Sequence, residues 1–109
     1  MTKWLETIEL RSIQNRREEL ESTFKDLADE LGKKTGGPTV QIFQSHTMKN
    51  DFSLQLHHSD KPPDGGSSLA IGLVSLLKEF GLVNHTLWVE RSGKSFKQNE
   101  TSIHQRYGK

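Results

Sequence analysis

The sequence predicts an α+β fold: a four-stranded antiparallel sheet with two helices on one face. Three observations predict it. Four short stretches, "WLETIELRSI", "TVQIFQS", "DFSLQLHH" and "NHTLWVERS", carry apolar residues in alternation with polar ones, the period of a half-buried strand. Two longer stretches between them shift to helical spacing. The breakers "TGGP" and "SDKPPDGG" punctuate the chain where the period changes.

In the first strand Ile8 and Leu10 share one face, and Thr7, Glu9 and Arg11 share the other. The first helix is expected from about Arg16 to Leu31, with Leu20, Phe24, Leu27, Ala28 and Leu31 as its apolar stripe. Asn15 is placed to cap it, Glu18 gives a capping-box spacing, and Gly32 is placed to close it in a left-handed conformation. In the second strand Val40 and Ile42 point one way and Gln41 and Phe43 the other. "HTMKND" is a turn, and the third strand carries Phe52, Leu54 and Leu56 on its apolar face. Prolines then end that strand, since they cannot donate to a sheet ladder. Ser67 or Ser68 caps the second helix, "LAIGLVSLLKEF", with Gly81 at its far end. In the last strand Leu87 and Val89 share a face, opposite Thr86, Trp88 and Glu90.

The order βαββαβ, with right-handed crossovers, gives a ferredoxin-like sandwich. Its helix-facing strand residues are Ile8, Leu10, Val40, Ile42, Phe52, Leu54, Leu56, Leu87 and Val89, all apolar. The opposite face is mostly polar with two aromatics, Phe43 and Trp88, and is where function is expected. One domain spans residues 1–92, followed by a polar tail, 93–109. From Arg91 onward the chain holds five basic residues and one acidic, against a net charge of +1 overall. A hydrophobic content of 31% is lean for a self-sufficient core and hints at a partner subunit.

Composition narrows the function classes. With no cysteine there is no disulfide, thiolate metal site or thiol nucleophile, which suits a cytoplasmic protein. No apolar run approaches the ~20 residues of a membrane span, and the N-terminus lacks the apolar core of a signal peptide. Glycine-flanked serine elbows and phosphate-loop spacings are absent. "DGGSSLAIG" reads as a turn and a capped helix rather than an anion site. First- and third-strand open-face positions carry no aromatics on which bases stack, so RNA binding through the sheet is not expected. The basic tail leaves a minor electrostatic route to a polyanion.

His57 and His58 are neighbours on a strand, so their side chains point to opposite faces and do not grip one ion. No metal site and no cofactor are expected. His58 reads as a strand-end residue held by hydrogen bonds. His57 projects onto the polar face with Gln55, near Glu9 and Arg11 if strands one and three are neighbours.

This organisation, and the stretch "LVSLLKEFGLVNHTLWVE" within it, resembles the dimeric α+β barrel superfamily over about Leu5 to Arg91, and within it the antibiotic biosynthesis monooxygenase-like family. The resemblance implies a homodimer whose sheets face each other around a cavity lined by the polar, aromatic-bearing face. Some members of that family oxidise polycyclic aromatic substrates with molecular oxygen and no cofactor, and some degrade haem. The haem-degrading branch uses an inward asparagine on the first strand. Here those positions are Thr7, Glu9 and Arg11, so no catalytic residue is carried over from it.

On this reading His57 is the candidate general base and Arg11 the candidate anchor for an anionic oxygen. Glu9, Phe43, Gln55, Trp88 and Glu90 are candidate ligand-binding residues, with Phe43 and Trp88 placed to stack on a planar ring. The same residues also suit a plain dimer interface: Glu9 and Arg11 are spaced to pair, and a tryptophan is a common interface anchor. Two expectations therefore stand. One is a homodimeric barrel that binds a small organic ligand or merely assembles. The other is a cofactor-independent monooxygenase-like enzyme acting on a planar aromatic substrate.

Overall fold

The structure is a computed structural model and describes residues 3–91. The polar, basic tail, 93–109, lies outside the described residues. Strands β1 (Trp4–Ser12), β2 (Thr39–Gln44), β3 (Asp51–His58) and β4 (Gly81–Val89) and helices α1 (Arg17–Gly32) and α2 (Ser68–Leu77) follow in the order βαββαβ. The strands form one open sheet in the order β2-β3-β1-β4, with every neighbouring pair antiparallel. The fold is α+β, as expected.

The core lies on the helix-covered face. Ile8 and Leu10 from β1 and Phe52, Leu54 and Leu56 from β3 are buried against Leu20 and Phe24 of α1 and Ala70, Leu73 and Leu77 of α2. Val40 and Ile42, on the edge strand β2, are partly buried at its margin. Arginines at the start of α1 pin it to two turns. Arg17 donates to the Lys49 carbonyl and lies over the Phe52 ring, while Arg16 donates to the Glu79 carbonyl and lies over Phe80.

Several expectations need correction. Asn15 does not cap α1. It sits in a 3₁₀ turn, Gln14–Arg16, and the helix begins at Arg17 with no side-chain cap. Gly32 remains in the helix, and the left-handed glycines are Gly36 and Gly37 in the following loop. Helix α2 ends at Leu77, three residues early, because Phe80 closes a tight turn through its amide to the Leu77 carbonyl. Gly81 accordingly opens β4. A Cβ there would sit 2.0 Å from the Arg11 carbonyl oxygen, so the β1–β4 pairing needs a glycine at this point. The helix-facing apolar set is also not uniformly buried at its far end. Leu87 and Val89 are exposed, because the short α2 does not reach the last residues of the edge strand.

Replacing Gly81 with alanine should therefore force β4 away from β1. We expect a loss of at least ~2 kcal/mol, read as a lower urea midpoint at unchanged slope. A Leu77→Ala substitution, which opens a cavity in the core, should cost about 2–5 kcal/mol in the same assay.

Candidate functional site

Strand register decides which candidate residues meet. Four rows run across the uncovered face of the sheet. At one end Asp51, Arg11 and Leu82 lie side by side, followed by Phe43, Ser53, Glu9 and Asn84. The central row is Gln41, Gln55, Thr7 and Thr86, and the far row is Thr39, His57, Leu5 and Trp88.

The candidates therefore fall into two groups. Glu9, Arg11 and Phe43 line a groove of about 540 Å³ with Leu82 and Asn84. His57, Trp88 and Glu90 line a smaller cleft of about 300 Å³ with Lys3, Trp4, Leu5, His58 and Val89. Gln55 stands between the two. His57 and Arg11 are about 20 Å apart, six residues along strands that rise ~3.4 Å per residue. Within one chain they do not act on the same small molecule. Phe43 and Trp88, on opposite edge strands and in different rows, do not sandwich one ring. Glu90 lies just past β4, its amide donating to the Lys3 carbonyl.

Arg11 does not pair with Glu9. It donates from Nε and Nη2 to the two carboxylate oxygens of Asp51, its cross-strand neighbour, at 3.0 and 3.1 Å. These bonds hold the Asp51 carboxyl below the ordinary aspartate range. The Trp88 indole donates to Thr86 and Thr7, which are hydrogen-bonded to each other.

A second constellation lies on the opposite, helix-covered face, where three polar residues interrupt the apolar set. Glu6 of β1 is completely buried. Its Oε1 accepts from His58 Nε2 at 2.7 Å and from the Ser67 hydroxyl at 2.5 Å. Its Oε2 accepts from His85 Nε2 and from the Ser67 amide, both at 2.9 Å. Ser67 is the N-cap of α2, and its hydroxyl oxygen in turn accepts from the Ala70 amide. The turn before it passes so close that a Cβ on Gly66 would lie 2.6 Å from His85 Cε1 and 2.7 Å from Glu6 Oε2. Burial pushes the Glu6 carboxyl up, but hydrogen bonds from the Ser67 hydroxyl and amide, His85 and His58 outweigh it, and the group titrates below the usual glutamate range.

His58 is thus held at the strand end by a hydrogen bond, as expected, and its partner is Glu6. Its ring also stacks on Trp4, with centroids 3.9 Å apart and planes 12° from parallel, and the Trp4 indole donates to Asp60. Both imidazoles spend Nε2 on Glu6. Among the described residues no three His, Cys, Asp or Glu side chains converge as metal ligands. Among them, too, no helix is long and apolar enough to cross a membrane. Comparison with family models, with curated proteins and with solved structures gave no match to this chain.

Two outcomes test the buried carboxylate. Glu6→Ala leaves four donors without their acceptor and should cost about 3 kcal/mol or more. Because the folded pKa is depressed, the carboxylate's contribution to stability is fully present above the unfolded value of 4.5 and drains away as the pH falls through the lower, folded value. Urea midpoints followed down the acid limb should show that loss in the native protein, and a flatter limb in Glu6→Gln.

Proposed function

We propose that this chain works as a homodimer, its uncovered sheet faces apposed around a cavity that takes a small organic ligand. The sheet order would then be that of a ferredoxin-like sandwich and the assembly a dimeric α+β barrel. The observation that carries this reading is the layout of the uncovered face. Its apolar groups stand near the rims: Leu82 and Trp88 towards the two ends of β4, 77% and 59% exposed, and Phe43 on β2. Its middle row, Gln41, Gln55, Thr7 and Thr86, is wholly polar. Rim contacts between two copies would shield exposed apolar surface, and the polar row would remain to line the space between them.

A second copy suits this face because it offers matched apolar rims and matched polar centres, and Arg11 is already neutralised by Asp51 on its own sheet. In the enclosed space the Gln55 amide supplies hydrogen bonds to a ligand, and Trp88 and Phe43 supply aromatic walls from different edges. His57 presents an imidazole to the same face.

Light scattering across a dilution series should report twice the 12.4 kDa chain mass. Leu82→Glu combined with Trp88→Glu places charges on the rims and should give a folded monomer. A native protein that is monomeric at every concentration would overturn the proposal.

A further inference from the structure

We propose that His58, oriented by Glu6, is a general base that takes the proton of an aromatic hydroxyl compound bound in the cleft at the end of β1, β3 and β4. The inference does not depend on the pairing of two sheets, since every residue it uses lies in one chain.

The argument begins with the carboxylate. An ionised Glu6 only accepts hydrogen bonds, so each imidazole that touches it presents an N–H at Nε2. In a neutral ring the other nitrogen, Nδ1, then carries the lone pair and is the atom free to take a proton. Two rings meet this condition, His58 and His85. Of the two, His58 lines the 300 Å³ cleft beside Trp4, Leu5, Trp88 and Val89 and a smaller one beside Pro38 and Asp60, with its side chain 6% exposed against 17% for His85. No described residue bonds its Nδ1.

Glu6 sits against Nε2. The Trp4 indole is stacked on the ring face, where it attracts a cation, and Asp60 fixes that indole from the far side. The remaining charged or titratable groups are His85, on the other oxygen of Glu6, and Lys3, His57 and Glu90 in the lining of the cleft. Indole and aliphatic walls fit a planar ring, and Lys3 fits an oxyanion. In the step itself the O–H bond of the bound compound breaks, its electron pair stays on oxygen, and the proton forms an N–H bond at Nδ1. His58 is the catalytic residue and Glu6 the positioning residue.

The probe is para-nitrophenol, whose colour reports ionisation directly. Bound to the native protein it should ionise at a pH about one unit below the free compound, the size of shift that one neighbouring charged group commonly gives. His58→Gln keeps an N–H for Glu6 but has no basic nitrogen. It should still bind the probe, seen by quenching of tryptophan fluorescence, and lose the shift. Nitrogen NMR of the native protein gives a second reading that needs no variant: His58 Nδ1 should be bare in the free protein and protonated in the complex. The proposal fails if the probe does not bind, if the bound probe titrates like the free one, if His58→Gln retains the shift, or if Nδ1 stays bare in the complex. Dimer mass, measured separately, decides the pairing of sheets and is indifferent to all four.

Discussion

One buried carboxylate joins most of this fold. Glu6 lies at the centre of the sheet, on the strand flanked by both β3 and β4, and its two oxygens gather donors from β3, from β4 and from the first residues of α2. Taking an ionised carboxylate out of water costs several kcal/mol even after relaxation, and only a full set of hydrogen bonds offsets that cost. Here the set is full, two bonds to each oxygen. The consequence is geometric: α2 sits where Ser67 can reach Glu6, the "DGGSS" turn must pass close enough that Gly66 has no room for a side chain, and His58 and His85 are held in one tautomer and one orientation.

The two faces of the sheet therefore have different chemistry. On the covered side, the polar cluster occupies one end and the aliphatic core the other. On the uncovered side, charge is confined largely to the Arg11–Asp51 end and the centre is neutral and polar. The end of the sheet where His58 and Trp4 emerge from beneath the helices is also where His57 and Trp88 emerge from the uncovered face. Residues of both faces line that cleft, as they do the groove at the Arg11 end, which takes in Leu10, Phe52 and Val83.

Much of the fold was legible in the alternation of residues, and the reasons it was legible also explain what was missed. Period two placed Ile8, Leu10, Phe52, Leu54 and Leu56 inside and Thr7, Glu9, Arg11, Gln55 and His57 outside, and all of these hold. The serine cap of α2 followed from "GGSS". Glu6 has the parity of Ile8 and Leu10, and His58 and His85 have the inward parity of Leu56 and Val83. Three polar residues in phase with the core were the available signal. It was weak because a charged residue in phase with a core contradicts local preference and makes sense only when its partners, 52 to 79 positions away, are known. The expected grouping of His57 with Arg11 failed for a related reason. Adjacency of β1 and β3 was correctly supposed, but antiparallel register sets opposite ends of the two strands together, and that pairing is a property of topology rather than of either stretch.

Stability alone is a weak account of the Glu6 cluster. Apolar residues of similar volume commonly replace buried ionic groups with no loss of stability, and often with a gain. What an apolar set does not supply is an imidazole whose Nε2 is fixed by a carboxylate, whose face is covered by an indole, and which lines a cleft. His85 shows the contrast within one molecule: it shares the same carboxylate but opens on neither cleft that His58 lines, and its part is consistent with completing the hydrogen-bond set. The two histidines on one acid thus differ in place: His58 lines the cleft at the strand end beside Trp4, and His85 faces the close turn at Gly66.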